Sequence, residues 1–247
     1  MIEIIDLEKS FDGQKVLNGI DLTILDNELM AIIGKSGGGK SVLLKHLTGL
    51  IKPDKGSVLV DGVDIVRLSG RELDGIREKF GVVFQGGALF DSLTVYENVA
   101  FPLKEKVKID RKELHERVLR ALEDVELLGM GKKYPAEISG GMKRRVALAR
   151  ALITEPSIVF FDEPTTGLDP IILNSIHRLI VDTHKKYGFT GVIISHDIPE
   201  IFDVADRIAM LHNGVIVETG TPDEIKNSFN PIVRQFIIGM EVPSFKP

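Results

Sequence analysis

Eight consecutive residues, Gly34, Lys35, Ser36, Gly37, Gly38, Gly39, Lys40 and Ser41, separate the apolar run Leu29-Met30-Ala31-Ile32-Ile33 from a helical run that opens on Val42 and extends to residue 47. This is the pattern GxxxxGKS in the setting it requires, with a strand before it and a helix after it. The glycines at 34, 37, 38 and 39 permit positive φ and remove the Cβ atoms that would block a phosphate, so successive backbone N–H groups can converge on its oxygens. The helix that begins there adds the partial positive charge of its N-terminus. Lys40 supplies a point charge suited to β and γ phosphates, and the Ser41 hydroxyl suits a Mg²⁺ ion. A strand, a phosphate loop and a helix in that order commit the chain to an α/β fold.

A chain of 247 residues is long enough for one such unit with an inserted lobe, and tandem phosphate-loop domains would not fit. The hydrophobic share of 43% and charged share of 27% belong to an ordinary globular protein rather than a disordered or fibrous one. A net charge of −5 gives no electrostatic reason to expect nucleic acid as a partner. The sequence has no cysteine, which excludes disulfides and thiolate-held zinc or Fe–S sites and fits a reducing compartment. Met1-Ile2-Glu3-Ile4-Ile5-Asp6 is acidic where a secretory signal needs a basic start. No apolar run approaches the roughly 20 residues needed to cross a bilayer, so a membrane role is expected to run through a partner.

Residues 1 to 33 alternate short apolar strands with turn signals such as Asp12-Gly13 and Asp26-Asn27, which predicts a small antiparallel subsheet leading into the phosphate-loop strand. Val58-Leu59-Val60 followed by Asp61-Gly62 adds a hairpin element, and the run from Phe80 to Gln85 is rich in β formers. From there to about residue 155 the pattern becomes helical. One helix starts at the candidate N-cap Asp110, carries Leu114, Val118, Ala121, Leu122, Val125 and Leu128 on one face, and is expected to end at Gly129. A second starts after Ser139, with Met142, Val146, Ala149 and Ile153 on one side. Residues 157 to 161 and 190 to 194 are apolar strands with a crossover helix over 172 to 183 between them, a βαβ unit with a largely parallel sheet. Residues 207 to 211 and 215 to 219 flank Asn213-Gly214, a strong hairpin turn.

Two further groups carry chemistry. Asp162 and Glu163 follow the strand Ile158-Val159-Phe160-Phe161, so both carboxylates emerge at a strand's C-terminal end, where open parallel sheets bind ligands. Asp162 is the Mg²⁺-side carboxylate of such a site, and Glu163 is placed to orient and deprotonate an attacking water. Ser139, Gly140 and Gly141 open a helix with an N-cap hydroxyl and accessible N–H groups, a second place that prefers an anion.

Together with Gln85 after a strand, Ile138-Ser139-Gly140-Gly141-Met142, Thr166-Gly167-Leu168-Asp169 and His196 after Ile193-Ile194-Ser195, these motifs resemble the ATP-binding cassette family in order and spacing over nearly the whole chain. The resemblance implies an α/β P-loop NTPase: a RecA-like core with a mostly parallel sheet, an N-terminal antiparallel β-subdomain and an inserted α-helical subdomain. One cassette domain would cover residues 1–230, with residues 1–85 and 156–230 as core and β-subdomain, residues 86–155 as helical lobe, and residues 231–247 as a tail. It implies ATP and Mg²⁺, and a head-to-tail homodimer in which each Ser139-Gly140-Gly141 faces the γ-phosphate held by the partner's phosphate loop. Gln85 then contacts Mg²⁺ and water, and His196 bonds the γ-phosphate. Phe11 takes the place where the family stacks an aromatic on adenine, beside Val16, although either is equally suited to the core. Ile138 stands where the family commonly has Leu. Met142 stands where it commonly has Gln, which removes an amide that would bond nucleotide and puts a direct contact from residue 142 in doubt. Asp169 fits a helix cap or a dimer bridge. Arg144, Arg145 and Arg150 fit a solvated helix face or structural pairs.

The segment from Gly86 to Leu103 occupies the region where the family docks a membrane permease. With Ser-Gly-Gly-Met it looks most like the ATPases of Mla/Mce-type phospholipid transport systems. That likeness implies an integral permease as partner, an Mce-type lipid-binding protein and a small cytoplasmic regulator beside it, and a cytoplasmic position on the inner face of the cell membrane. In the tail, apolar residues 232, 233, 236 and 237 form a helical stripe that fits either the protein's own core or an intersubunit clasp. The alternative is a cassette ATPase that acts as a regulator or scaffold in cell division or Fe–S assembly without pumping substrate.

Overall fold

A computed structural model describes residues 1–106 and 109–241. The final part of the tail expected above, residues 242–247, lies outside the described residues. The chain divides into two compact units, Met1–Lys79 with the segment from Thr190 onward, and Phe80–Phe189. The second unit therefore includes a pair of strands and a long helix as well as the expected helical lobe.

The first unit opens with β1 (Ile2–Phe11) and β2 (Gln14–Ile24), joined at Asp12 and Gly13, both with positive φ as a tight hairpin requires. β3 (Leu29–Ile33) is buried at every residue and runs into the phosphate loop. After it come α1 (Lys40–Leu47), β4 (Lys55–Val60), β5 (Val63–Asp64) and α2 (Gly70–Arg77). The chain then builds the second unit from β6 (Phe80–Val83), α3 (Val95–Lys106), α4 (Arg111–Asp124), α5 (Gly140–Leu152), β7 (Ile158–Asp162) and α6 (Pro170–Tyr187). It returns to the first with β8 (Thr190–Ser195), β9 (Arg207–His212), β10 (Val215–Gly220), α7 (Pro222–Lys226) and α8 (Pro231–Glu241).

Within the first unit β2-β1-β4-β5 form an antiparallel sheet, the expected β-subdomain. β3 pairs in parallel with both β8 and β9, and β10 closes antiparallel on β9 through Asn213 and Gly214. A strand buried on both faces and hydrogen-bonded on both edges reads as an unbroken apolar run, and Met30, Ala31, Ile32 and Ile33 are all fully buried. In the second unit β6 and β7 pair in parallel. Phe80 meets Phe160 edge-on with ring centroids 5.2 Å apart, while α3, α4 and α5 pack on one another and α5 packs on α6.

Two expectations need correction. α4 is capped by Asp110, whose side chain accepts from the Lys112 N–H, but it ends at Asp124 rather than at Gly129. Glu126 takes a positive φ, the Leu127 N–H bonds back to the Leu122 carbonyl, and it is Leu127 that is buried while Leu128 is exposed. Of the two readings of the α5 arginines the solvated face fails and structural pairing holds at Arg145, which pairs with Glu126: Arg144 is buried, and Arg145 and Arg150 donate hydrogen bonds to other elements. In α8, Val233, Phe236 and Ile237 are buried and the helix packs on α7 and β10, so its stripe serves its own unit's core. No helix among the described residues is long and apolar enough to cross a membrane.

Candidate functional site

The phosphate loop is built by a turn that only glycine can make at its two ends. Gly34 has φ 153°, and a Cβ there would lie 2.2 Å from the Leu211 carbonyl oxygen. Gly39, the N-cap of α1, has φ 99°, and a Cβ would press to 3.0 Å on Leu17 and 3.1 Å on the Val16 carbonyl. At Gly38 a Cβ would come within 2.9 Å of the Lys35 carbonyl, filling the hollow of the loop. Lys40 is only 4% exposed and its Nζ donates to the carbonyls of Gly34 at 2.8 Å and Lys35 at 3.0 Å. The ammonium thus spans the loop and holds its ends together while Lys35, Ser36 and Gly37 face solvent. Gly39 makes no side-chain cap, so the first N–H groups of α1 point out with Ser41 exposed among them.

Val16 borders this loop, with its Cγ1 3.4 Å from the Cβ position at Gly39. The turn that follows β9 holds it there: the Asn18 N–H donates to the Gly214 carbonyl at 2.8 Å. Phe11, at the end of β1, is exposed and carries the Lys9 ammonium 5.4 Å from its ring centroid. Phe11 is therefore a surface residue and not part of the core. His196 follows β8 in the same unit and is partly buried.

The carboxylates sit in the second unit. Asp162 is the last residue of β7, and Glu163 follows it with φ 47°, a left-handed conformation that costs a residue with a side chain on the order of 1 kcal/mol. Its Oε2 accepts from Gln85 Nε2 at 3.3 Å and from Thr166 Oγ1 at 3.0 Å. Gln85 and Glu163, far apart in the chain, therefore meet. Ser139 caps α5, its Oγ accepting from the Met142 N–H at 3.3 Å, and Ser139 and Gly140 are exposed. Asp169 caps α6 through the N–H groups of Ile171 and Ile172, both at 3.1 Å.

Among the described residues no three His, Asp or Glu side chains converge as a self-contained metal site. Ser41, Asp162 and Gln85 are all hard oxygen donors. Ser41 lies in the first unit and the other two in the second, and donors of this kind suit an ion that takes one or two protein oxygens and completes its shell with phosphate and water, as Mg²⁺ does beside nucleotides.

Some positions were not visible as functional in the sequence. Asn98 is fully buried, accepts from the Phe90 N–H and donates to the carbonyls of Phe90, Leu93 and Thr94, so it shapes the loop that presents Phe90. Thr94 and Glu97 close a reciprocal cap at the start of α3, a signal legible as Thr-x-x-Glu. Phe84, Phe90, Phe101 and Pro102 line an open groove of about 290 Å³ whose floor includes Gly81 and Arg150.

A phosphate loop between a buried parallel strand and a helix, with an Asp-Glu pair ending another strand, defines a P-loop nucleoside triphosphatase. Over residues 17–166 the sequence matches the family described as ABC transporter. It is 42% identical over 241 residues to the probable ribonucleotide transport ATP-binding protein mkl of Mycobacterium tuberculosis, covering 98% of this chain and 67% of that one. It is 38% identical over 240 residues to the intermembrane phospholipid transport system ATP-binding protein MlaF of Escherichia coli, covering 97% and 89%. The ATP-binding cassette MJ0796, solved as a dimer in a post-hydrolysis state bound to ADP and Pi, superposes with a TM-score of 0.82 at 33% identity over 90% of this chain and 99% of that one. The chain belongs to the ABC transporter family. Its activity is that family's hydrolysis of ATP with Mg²⁺.

Proposed function

We propose that this ATPase works as a homodimer that drives a separate membrane permease, with phospholipid as the cargo, from the cytoplasmic face of the cell membrane. The observation that carries the catalytic reading is the Gln85–Glu163 pair, which brings a strand-end amide and a strand-end carboxylate together. In this reading the backbone N–H groups of residues 36 to 41 and Lys40 hold the β and γ phosphates, and Ser41 and Asp162 hold Mg²⁺. The metal supplies charge neutralisation on the phosphate oxygens. Phe11 stacks on the base and Val16 packs beside it. Gln85 and Glu163 orient a water, and Glu163 takes its proton as the water oxygen bonds to the γ-phosphorus and the bridging oxygen leaves with ADP. His196 bonds the γ-phosphate. Ser139, Gly140 and Gly141 complete the partner's site through the N-terminus of α5, of which Ser139 and Gly140 are exposed, rather than through the side chain of Met142.

The groove of Phe84, Phe90, Phe101 and Pro102 begins one residue before Gln85, which supports reading it as the permease docking surface. A helix of the permease laid in that groove would receive the motion. Phospholipid is favoured by the likeness to MlaF across 97% of the chain. An Mce-type lipid-binding protein and a small regulator then belong to the assembly.

Glu163→Gln should keep ATP binding, lower turnover by roughly 10²-fold or more and accumulate an ATP-bound dimer on size-exclusion chromatography. A variant that hydrolyses at the native rate removes Glu163 as the base. For the cargo, the chain is isolated from membranes with its partners and the complex is extracted for lipid. Recovery of a permease with bound phospholipid supports the reading, and a permease with a soluble solute instead rejects it.

A further inference from the structure

The arginines of α5 reach the two loops on which hydrolysis depends. Arg150 donates from Nη2 to the Gly87 carbonyl at 2.7 Å and from Nη1 to the Ala88 carbonyl at 2.8 Å. These are the second and third residues after Gln85. Arg144 donates from Nη2 to the Thr166 carbonyl at 3.0 Å, and the Thr166 hydroxyl is the group that holds Glu163. The guanidinium of Arg144 also abuts the other loop, with Nη1 3.6 Å from the Cβ position of Gly86. Its Nε and Nη1 are buried with no hydrogen-bond partner.

α5 is largely buried, with Val146, Ala147, Leu148, Ala149, Ala151 and Leu152 among its apolar contacts, so its arginines share a face with little water. Burial pushes the pKa of both guanidinium groups down, and no carboxylate offsets it at either one. Two desolvated cations are thus held by backbone carbonyls of loops, where a planar fork fixes direction in a way a lysine cannot. Arg145, between them in sequence, pins the same helix to its neighbours by donating to the Val125 carbonyl at 3.0 Å and to Ser175 Oγ at 2.7 Å, and it pairs with Glu126. α5 is therefore a tethered rod of 13 residues. Its exposed N-terminus is Ser139-Gly140, and Arg150 lies about 15 Å further along at 1.5 Å per residue.

We propose that Arg144 and Arg150 are positioning residues that make α5 a mechanical link, so that seating of the Ser139 end on the partner's γ-phosphate sets the loops carrying Glu163 and Gln85. The inference rests on the reading of Gln85, Glu163 and Ser139 given above. Arg150 fixes the backbone from which Gln85 projects. Arg144 fixes Thr166, and through its hydroxyl the carboxylate of Glu163. The unpartnered Nη1 of Arg144 lies against Gly86 of the Gln85 loop and is able to take a carbonyl from it when the loop shifts, which gives the link a second arrangement. A displacement of an orienting side chain by about 1 Å is enough to cost a large factor in rate.

The test is steady-state ATP hydrolysis by the purified full-length protein, with kcat and KM separated and the melting midpoint recorded. Arg144→Met and Arg150→Met should each lower kcat about tenfold while KM for ATP stays within about twofold, because neither touches nucleotide. Arg150→Lys should restore only part of the rate, since one ammonium cannot serve both carbonyls in the fork geometry. Two double-mutant cycles separate linkage from general loss of packing. Arg150→Met should cost little further in a Gln85→Ala background, and Arg144→Met little further in Thr166→Val. Native kcat in either folded methionine variant overturns the proposal, as do fully multiplicative effects in both cycles. If Arg150→Met fails to fold, Arg150→Lys crossed with Gln85→Ala decides by the same criterion. Should Glu163→Gln hydrolyse at the native rate while the Gln85 cycle remains non-additive, the base assignment fails and the link stands.

Discussion

Lys40 is a cation nearly removed from water, and the loop around it exists because glycines at 34 and 39 admit backbone contacts that a Cβ would forbid. Its ammonium rests on the carbonyls of Gly34 and Lys35, so the charge is positioned before any phosphate arrives. Lys40→Ala should therefore weaken ATP binding roughly tenfold or more, measured by titration of a fluorescent ATP analogue. Affinity within twofold of the native protein would remove the phosphate role from Lys40. Glu163 illustrates the limit of residue-scale reading. Its place after Asp162 marks it in the sequence, and the bond from Thr166 is local, whereas the bond from Gln85 comes from a residue that the sequence does not connect to it.

At the scale of elements, periodicity and caps were legible where the signal is local. Asp110, Ser139 and Asp169 each cap the helix they precede, because a short oxygen-bearing side chain reaches N–H groups two or three residues on whatever surrounds it. The end of α4 was not legible, since Leu127 and Leu128 are equivalent by composition and the choice of which to bury depends on how the chain leaves the helix at Glu126. The glycines of α5 divide in the same way. Gly141 packs against α6, where a Cβ would lie 2.6 Å from Ile172 Cγ2, while a Cβ at Gly140 would sit 3.7 Å from Leu168 Cδ2 in ordinary contact. Gly141→Ala should destabilise the protein by about 1–3 kcal/mol in urea unfolding, and Gly140→Ala by well under 1 kcal/mol. Equal losses at the two positions would reject helix packing as the reason for Gly141.

For the whole molecule, the proposed head-to-tail dimer gives the exposed N-terminus of α5 and the chain's own phosphate loop each a use. Subunits bearing Lys40→Ala mixed with subunits bearing Ser139→Arg should recover ATPase activity that neither has alone, because one of the two composite sites is then intact. No recovery over a range of mixing ratios would count against the shared site. The family and its ATPase chemistry were readable in the sequence because the phosphate loop, the Ser-Gly-Gly segment and the Asp-Glu pair are each local: their residues are neighbours in the chain, and backbone geometry alone arranges them. The tertiary structure decided what Arg144, Arg145 and Arg150 do. Basic residues on a helix read as solvated until long-range packing buries them, and only the folded chain shows which distant carbonyls take their hydrogen bonds.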